Sequence, residues 1–166
     1  MLQMEEKEYI SYMRKMIGHK RMMSVGLACL IYDEKGEILL EKRSDNGKYC
    51  LPGGSINFDE TVIEGLKREV KEETGISLEE AKLFLILSGK KEEFLYPNGD
   101  VTDYVDLIFY SKVDSSCFDE KKEHDSESTS IRFYSPENLP LEEEMLRGTN
   151  RPIQKFLSKN FDLEID

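Results

Sequence analysis

Arg68, Glu69, Glu72 and Glu73 crowd the end of one short stretch, "PGGSINFDETVIEGLKREVKEETGI", which runs from Pro52 to Ile76. On a helix, Glu69 neighbours both Glu72 and Glu73, and like charges at that spacing repel by roughly 0.2–0.5 kcal/mol per exposed pair. At roughly 100° per residue, Val62, Ile63, Leu66 and Val70 form one apolar stripe that is expected to face the core. Glu64, Lys67 and Lys71 fall on the opposite, solvated side. The three carboxylates sit at one border of the stripe, and Glu73 points partly into it. Converging, partly buried carboxylates are costly unless something positive satisfies them. Arg68 and Lys71 are the nearby basic residues, and Lys71 points away. A hard divalent cation such as Mg²⁺, which prefers carboxylate oxygen and water, is the better partner.

A glutamate cluster in an acidic chain is by itself most often a solvated face. Two features argue for a site here: the border position, and Gly53 and Gly54 shortly upstream. Glycine there permits positive φ and the close approach of a ligand or metal.

Stepping outward, Thr61 to Glu73 is predicted helical, with Gly75 as the C-terminal cap. The residues "EEKEYISYMRKMIG" predict an N-terminal helix over 4–17, stopped by Gly18, with Tyr9, Met13 and Met16 on a stripe that must pack on its own domain or on a second subunit. The segment "MMSVGLACLIYDEKGEILLEKR" reads as a hairpin turning at Asp33 to Gly36. A short strand in "YCLPGGS" is expected to break into a glycine turn. The segments "AKLFLILSGKKEEFLY" and "TDYVDLIFYSKV" read as strands joined by "PNGD", and "SIRFYS" as another. "LEEEMLRGTNRPIQKFLSKN" has a helical pattern interrupted around Gly148 to Pro152, with Leu141, Met145, Ile153 and Phe156 expected to cover the sheet. The order predicts an α/β architecture, a mixed sheet between helices.

The chain has 166 residues, enough for one domain with a real core. Its net charge of −11 argues against a broad DNA-binding surface, which needs clustered Lys and Arg. A small phosphorylated ligand held through metal ions remains compatible, because a bound cation reverses the local sign. Cys29, Cys50 and Cys117 are scattered and odd in number, so no disulfide framework is expected. The acidic start "MLQMEEKEYI" does not read as a signal peptide, and no apolar run approaches a membrane span. The expectation is a cytoplasmic protein with no membrane partner.

Gly54, Glu60, Arg68-Glu69, apolar Val70, Glu72-Glu73, Gly75 and apolar Ile76 stand at the spacing of the Nudix box. The match covers residues 54–76 at nine specified positions, and "EILLEKR" followed by "LPGG" resembles the usual approach to that motif. The chain thus resembles the Nudix hydrolases of the MutT-like type. The resemblance implies an α/β/α sandwich; with the chain length it gives one expected domain over residues 1–166, and the helical extension of residues 1–18 lies outside the resemblance. The resemblance also implies Mg²⁺- or Mn²⁺-dependent hydrolysis of a nucleoside diphosphate linked to another group X, with a homodimer as a form common in the family.

Carried over by position, Glu72 and Glu73 would be metal ligands. Glu69 would be a further ligand or the group that orients the attacking water, and the Gly53 carbonyl an additional ligand. Arg68 would hold a box carboxylate in place, and Glu60 would stabilise the loop. The base would come from a downstream loop where Glu123, Asp125 and Glu127 compete, with Glu127 the first choice. Arg43 is a candidate phosphate contact, with a surface arginine the alternative, and Tyr96 and Tyr104, with Phe94, are candidates to stack on a base, although aromatic residues in strands are more often core. Tyr49 is read as core packing. Asn57 and Asp59 replace the Glu and Gly that many relatives show, so the loop shape is expected to differ.

Marks of the ADP-ribose, NADH and coenzyme A pyrophosphatase subfamilies are missing or partial, so the substrate is not readable. Two other readings compete with the enzyme: a non-catalytic nucleotide-sensing module, and a decapping-type hydrolase on RNA ends. The first usually goes with a degraded box, and the second needs a basic channel that the charge makes awkward.

Overall fold

The computed structural model describes residues 8–120 and 127–166. Helix α1 (Tyr9–Ile17) is followed by strands β1 (Met22–Tyr32), β2 (Ile38–Arg43), β3 (Tyr49–Cys50) and β4 (Gly53–Ser55). Helix α2 (Val62–Thr74) comes next, then β5 (Lys82–Leu87), β6 (Glu93–Leu95), β7 (Val101–Lys112) and β8 (Ser128–Tyr134). Helix α3 (Asn150–Leu157) and β9 (Glu164–Ile165) complete the described elements.

The strands form one mixed sheet in the order β3-β2-β1-β7-β5-β9, with β4 on β1, β6 on β7 and β8 on β2. The two long strands at its centre, β1 and β7, run parallel in continuous register from Met22↔Thr102 to Tyr32↔Lys112. Strand alternation builds a core on each face. Leu27, Cys29 and Ile31 of β1 join Leu39 of β2 under Leu66 and Val70 of α2. Leu30 of β1 joins Ile38 and Leu40 of β2 under Ile153 and Phe156 of α3. The result is the α/β sandwich expected, with helices on both faces. In β5 a register shift between Leu83 and Leu85 places Phe84 and Leu85, consecutive residues, in the same core.

Several local expectations need correction. The hairpin of β1 and β2 pairs only at Tyr32↔Ile38; beyond the turn the strands diverge, β2 pairing with β8 and β3 while β1 takes β4 and β7. Gly53 and Gly54 lie in strand β4, not in a turn, and neither has positive φ. "AKLFLILSGKKEEFLY" is broken by a 3₁₀ turn over Lys90–Glu92 into β5 and β6. The closing helix is only α3, and the glutamates Glu142–Glu144 form one 3₁₀ turn.

Three residues expected to be covered are exposed: Ile63 on α2, Met16 on α1 and Leu141. The wheel places Ile63 on the stripe, but α2 turns Leu66 and Val70, with Val62 beside them, into the core and leaves Ile63 at the solvent side. Residues 4–7 of the expected first helix lie outside the described residues. Tyr49 packs as anticipated, edge-on to Tyr134.

Phe84 is fully buried against Tyr110, so Phe84→Ala should cost about 3–5 kcal/mol through the cavity left behind. Ile63→Ala, at an exposed helix position, should stay within about 0.5 kcal/mol. Denaturant titration of both variants distinguishes a buried from a surface position.

Candidate active site

Helix α2 begins at Thr61, whose hydroxyl accepts the Glu64 N–H while the Glu64 carboxylate accepts the Thr61 N–H. This reciprocal capping box, with left-handed Gly75 at the other end, defines a helix of fixed length and phase. Leu66 and Val70 bury against β1 and thereby set which way Glu69, Glu72 and Glu73 point.

The helix comes very close to the sheet. A Cβ on Gly65 would lie 2.8 Å from Leu27 Cδ1 and 2.7 Å from a Glu60 oxygen. A Cβ on Gly54 would overlap the Glu69 carboxylate, and one on Gly53 would overlap the Leu27 carbonyl oxygen. The two glycines of "PGG" are thus required for close approach, with β4 wedged between β1 and α2.

Arg68 organises the carboxylates. Its Nε and Nη2 hold Glu60 at 3.0 and 2.7 Å, Nη1 reaches Glu69 at 2.7 Å and Glu72 at 3.3 Å, and Nη2 also reaches the Ser55 carbonyl at 3.1 Å. Glu60 accepts the Asn57 N–H at 2.7 Å as well, and its hydrogen bonds to Arg68 hold it below the usual carboxylate range. Burial pushes Glu69 the other way, above its ordinary value, against the opposing pull of Arg68. Glu73 is buried and accepts the Gly53 N–H at 2.7 Å, whereas Glu72 is mostly exposed. Lys71 turns away to the Gly75 carbonyl and Ser77, as the wheel requires.

These groups line a cavity of about 480 Å³. Gly53, Gly54, Arg68, Glu69, Glu72, Glu73 and Glu127 all border it, and so do Arg43, Tyr96 and Tyr104, far away in sequence. The backbone carbonyl of Glu127 accepts the Ser44 N–H at 2.8 Å, which ties that end of the loop to β2. Glu123 and Asp125 lie outside the described residues.

The wall opposite α2 is aromatic and cationic. The Tyr96 and Tyr104 hydroxyls are 2.5 Å apart, and Phe94 meets Tyr96 edge-on. Arg43 and Arg147 both lie over the Phe94 ring, at 5.8 and 5.4 Å. Arg43 is already held by Asp45 through two hydrogen bonds of 2.9 and 2.8 Å, so its charge is spoken for.

Sequence reasoning missed four residues here. Glu41 is buried at the cavity floor and accepts hydrogen bonds from Cys50 Sγ and Ser128 Oγ. Its signal was present: it directly follows Ile38, Leu39 and Leu40, a run apolar on both faces. Arg147 and Asp106 border the cavity on its aromatic side and form an ionic group with the buried Glu92, Arg147 Nη1 lying 2.6 Å from Glu92 and 3.6 Å from Asp106. Burial raises Asp106 to about 7, with Arg147 opposing and Glu92 adding to the rise. No sequence spacing links these three, which come from separate elements.

Among the described residues, no three acidic, His or Cys side chains are already gathered into a metal cage. Glu73 and Glu69 are turned onto the Gly53 N–H and Arg68. The donor set is nevertheless all oxygen, and its burdened, partly buried Glu69 stands in a cradle that any Cβ at position 54 would fill. That set fits a hard divalent cation and does not fit a soft one.

The sequence pattern of the NUDIX domain matches residues 22–156. A "MutT-like protein" of Streptomyces ambofaciens is 34% identical over 116 residues, 70% of this chain and 66% of that protein. The human "8-oxo-dGDP phosphatase NUDT18" is 29% identical over 123 residues, 73% of this chain and 35% of that protein. The chain therefore spans just under two thirds of the first relative's length and about a third of the second's. Among solved structures, a NUDIX hydrolase from Nitrosomonas europaea superposes with a TM-score of 0.67 at 22% identity, covering 89% of this chain and 79% of that one. At that identity the likeness shows the fold.

Two predictions follow from the geometry. Gly54→Ala should displace Glu69 and lower catalytic turnover far more than it lowers thermal stability, measured side by side with the unaltered chain. For Asp106, the folded value of about 7 lies above the ordinary 3.8, so the folded chain keeps a proton that the unfolded chain has lost. Its stabilising contribution is full below about pH 4 and is lost as pH rises towards 7. Asp106→Asn should flatten the fall in stability across that window in a pH series of unfolding curves.

Proposed function

The chain belongs to the NUDIX family, and from that premise we propose that it is a metal-dependent pyrophosphohydrolase. Its substrate would be a nucleoside diphosphate linked to a further group, cleaved at a P–O–P bridge. One observation carries this reading: a single cavity has two unlike walls, converging carboxylates on α2 and aromatic rings with arginines opposite. The first suits a cation and phosphates, the second a base or another flat organic group.

Glu69, Glu72, Glu73 and the Gly53 carbonyl would hold Mg²⁺ or Mn²⁺. A cation bound there supplies neutralisation of pyrophosphate charge and acidifies water. Arg68 is a positioning residue: it keeps Glu69 and Glu72 turned towards each other despite their repulsion. Glu127, at the cavity border, is assigned as the base whose carboxylate takes a proton from the attacking water. The water oxygen bonds to one phosphorus as the bridging P–O bond breaks, and the bridging oxygen leaves on the other phosphate. No covalent nucleophile is used.

Tyr96, Tyr104 and Phe94 are assigned to the organic part of the substrate. Arg43, engaged with Asp45, is assigned to shaping the Phe94 ring ahead of any phosphate contact. The human relative named for an 8-oxo-dGDP phosphatase supports the nucleoside diphosphate class. Among the described residues no helix is long and apolar enough to cross a membrane. A small cytoplasmic substrate, with no DNA partner, accords with the acidic charge.

The test is a panel of ADP-ribose, nucleotide sugars, dinucleoside polyphosphates, ordinary and oxidised nucleoside di- and triphosphates, and coenzyme A, each with and without Mg²⁺. Glu72 is exposed, so Glu72→Gln should leave stability within about 0.5 kcal/mol. It should cut turnover by roughly 10²-fold or more, the scale of losing a group that stabilises transition-state charge. Nucleotide binding with no product in any reaction would sink the proposal and favour a sensing module.

A further inference from the structure

Helix α1 precedes the matched NUDIX region, which starts at residue 22, yet it reaches the active cavity. Glu8, Ile10 and Ser11 border the same cavity as Glu69, Glu72 and Glu73. No residue of α1 is buried, so core packing does not explain its position.

What holds α1 in place is a set of specific contacts at its two ends. At its start, the Tyr9 N–H donates to Asn57 Oδ1 at 3.2 Å and the Tyr9 hydroxyl to the Met23 carbonyl at 3.1 Å. The Tyr9 and Tyr12 rings meet Phe58 edge-on, with centroids 5.3 and 5.6 Å away. At its end, Arg14 donates to the carbonyls of Gly18 and Lys20, and to the Val101 carbonyl and Thr102 hydroxyl on β7. Gly18, at φ 63, turns the chain back into β1.

The docking point lies inside the catalytic motif, at its unspecified positions. Asn57 and Phe58 stand between Gly54 and Glu60, and Asp59 follows in the left-handed region at φ 63. The Asn57 side chain receives α1, while its N–H donates to the Glu60 carboxylate that holds Arg68. One short loop therefore carries both the seat of α1 and the brace of the carboxylates.

We propose that α1 is a specificity element: a wall of the substrate cavity, with Ile10 its apolar face, that limits the size of the group attached to the nucleoside diphosphate. A helix that merely tidied the edge of the domain would have no reason to put its first turn at the cavity and to seat on the box loop. The proposal rests on the pyrophosphohydrolase reading for its kinetic test, and a binding measurement serves independently of that reading.

The kinetic experiment compares ATP with a dinucleoside polyphosphate, both with Mg²⁺, for the unaltered chain, for Ile10→Trp, and for a chain lacking residues 1–18. Ile10→Trp narrows the cavity. It should raise KM for the bulky compound about tenfold or more beyond any change in KM for ATP, the usual cost of a misfit in a pocket. The deletion should shift the preference the other way. Should the deletion fail to fold, Ile10→Trp alone decides. Preference ratios within about twofold of the unaltered chain in every folded variant would overturn the proposal.

The binding measurement is amide hydrogen exchange over residues 9–17 with and without the α,β-methylene analogue of ADP-ribose, which carries a group beyond the diphosphate. Slower exchange on binding is expected, and unchanged exchange at saturating nucleotide would count against α1 as a wall even if no substrate is ever turned over. Absent turnover with slowed exchange would separate failure of the hydrolase reading from failure of this one.

Discussion

The distance between α2 and β1 is the constraint on which the rest of the site depends. Strand β4 is wedged between them, and the space admits only glycine at positions 53 and 54, with Gly65 meeting Leu27 from the helix side. Leu66 and Val70 provide the burial that pulls the helix down, at about 1.5–3 kcal/mol for each side chain fully removed from water. The same apolar pull drives Glu69 against Gly54 and Glu73 under the Gly53 N–H. Hydrophobic packing thus does electrostatic work: it forces together negative groups that would otherwise spread into solvent.

That work has to be offset. Arg68 shares one guanidinium among Glu60, Glu69, Glu72 and the Ser55 carbonyl. Because the guanidinium is planar and rigid, the groups it binds are fixed in direction as well as neutralised in part. One positive charge does not balance three or four carboxylates, and burial keeps Glu69 above the usual carboxylate range despite Arg68. An added cation relieves this imbalance, which gives the acidic wall a physical reason to bind one. The opposite wall is organised on a different principle, with arginines laid over Phe94 and tyrosines paired through their hydroxyls.

Local signals served well where structure is local. Thr61, Glu64 and Gly75 mark the ends of α2 through hydrogen bonds within a few residues, and the helix runs between them. They failed where pairing is distant. The β1–β2 segment looks like a hairpin because its turn is a good one, but β2 finds better partners in β8 and β3. Ile63 reads as core on the wheel because a wheel has no knowledge of which part of the stripe the fold buries. Gly53 and Gly54 read as a turn because glycine pairs are common there; only the neighbours of their missing Cβ atoms reveal close approach as the reason.

By itself the sequence determined the carboxylate constellation, since Glu69, Glu72, Glu73 and Arg68 are placed by the pitch of one helix, and it determined the family through the spacing of residues 54–76. The tertiary structure alone decided what faces them. Ile10, Phe94, Arg147 and the β7 pair Tyr104 and Asp106 arrive from four separate stretches, and no periodicity connects positions whose meeting depends on the parallel pairing of β1 with β7 and on the docking of α1 at Asn57 and Phe58. A motif within one helix is legible because its geometry is set by covalent neighbours, whereas a cavity wall assembled across a sheet is set by the whole fold.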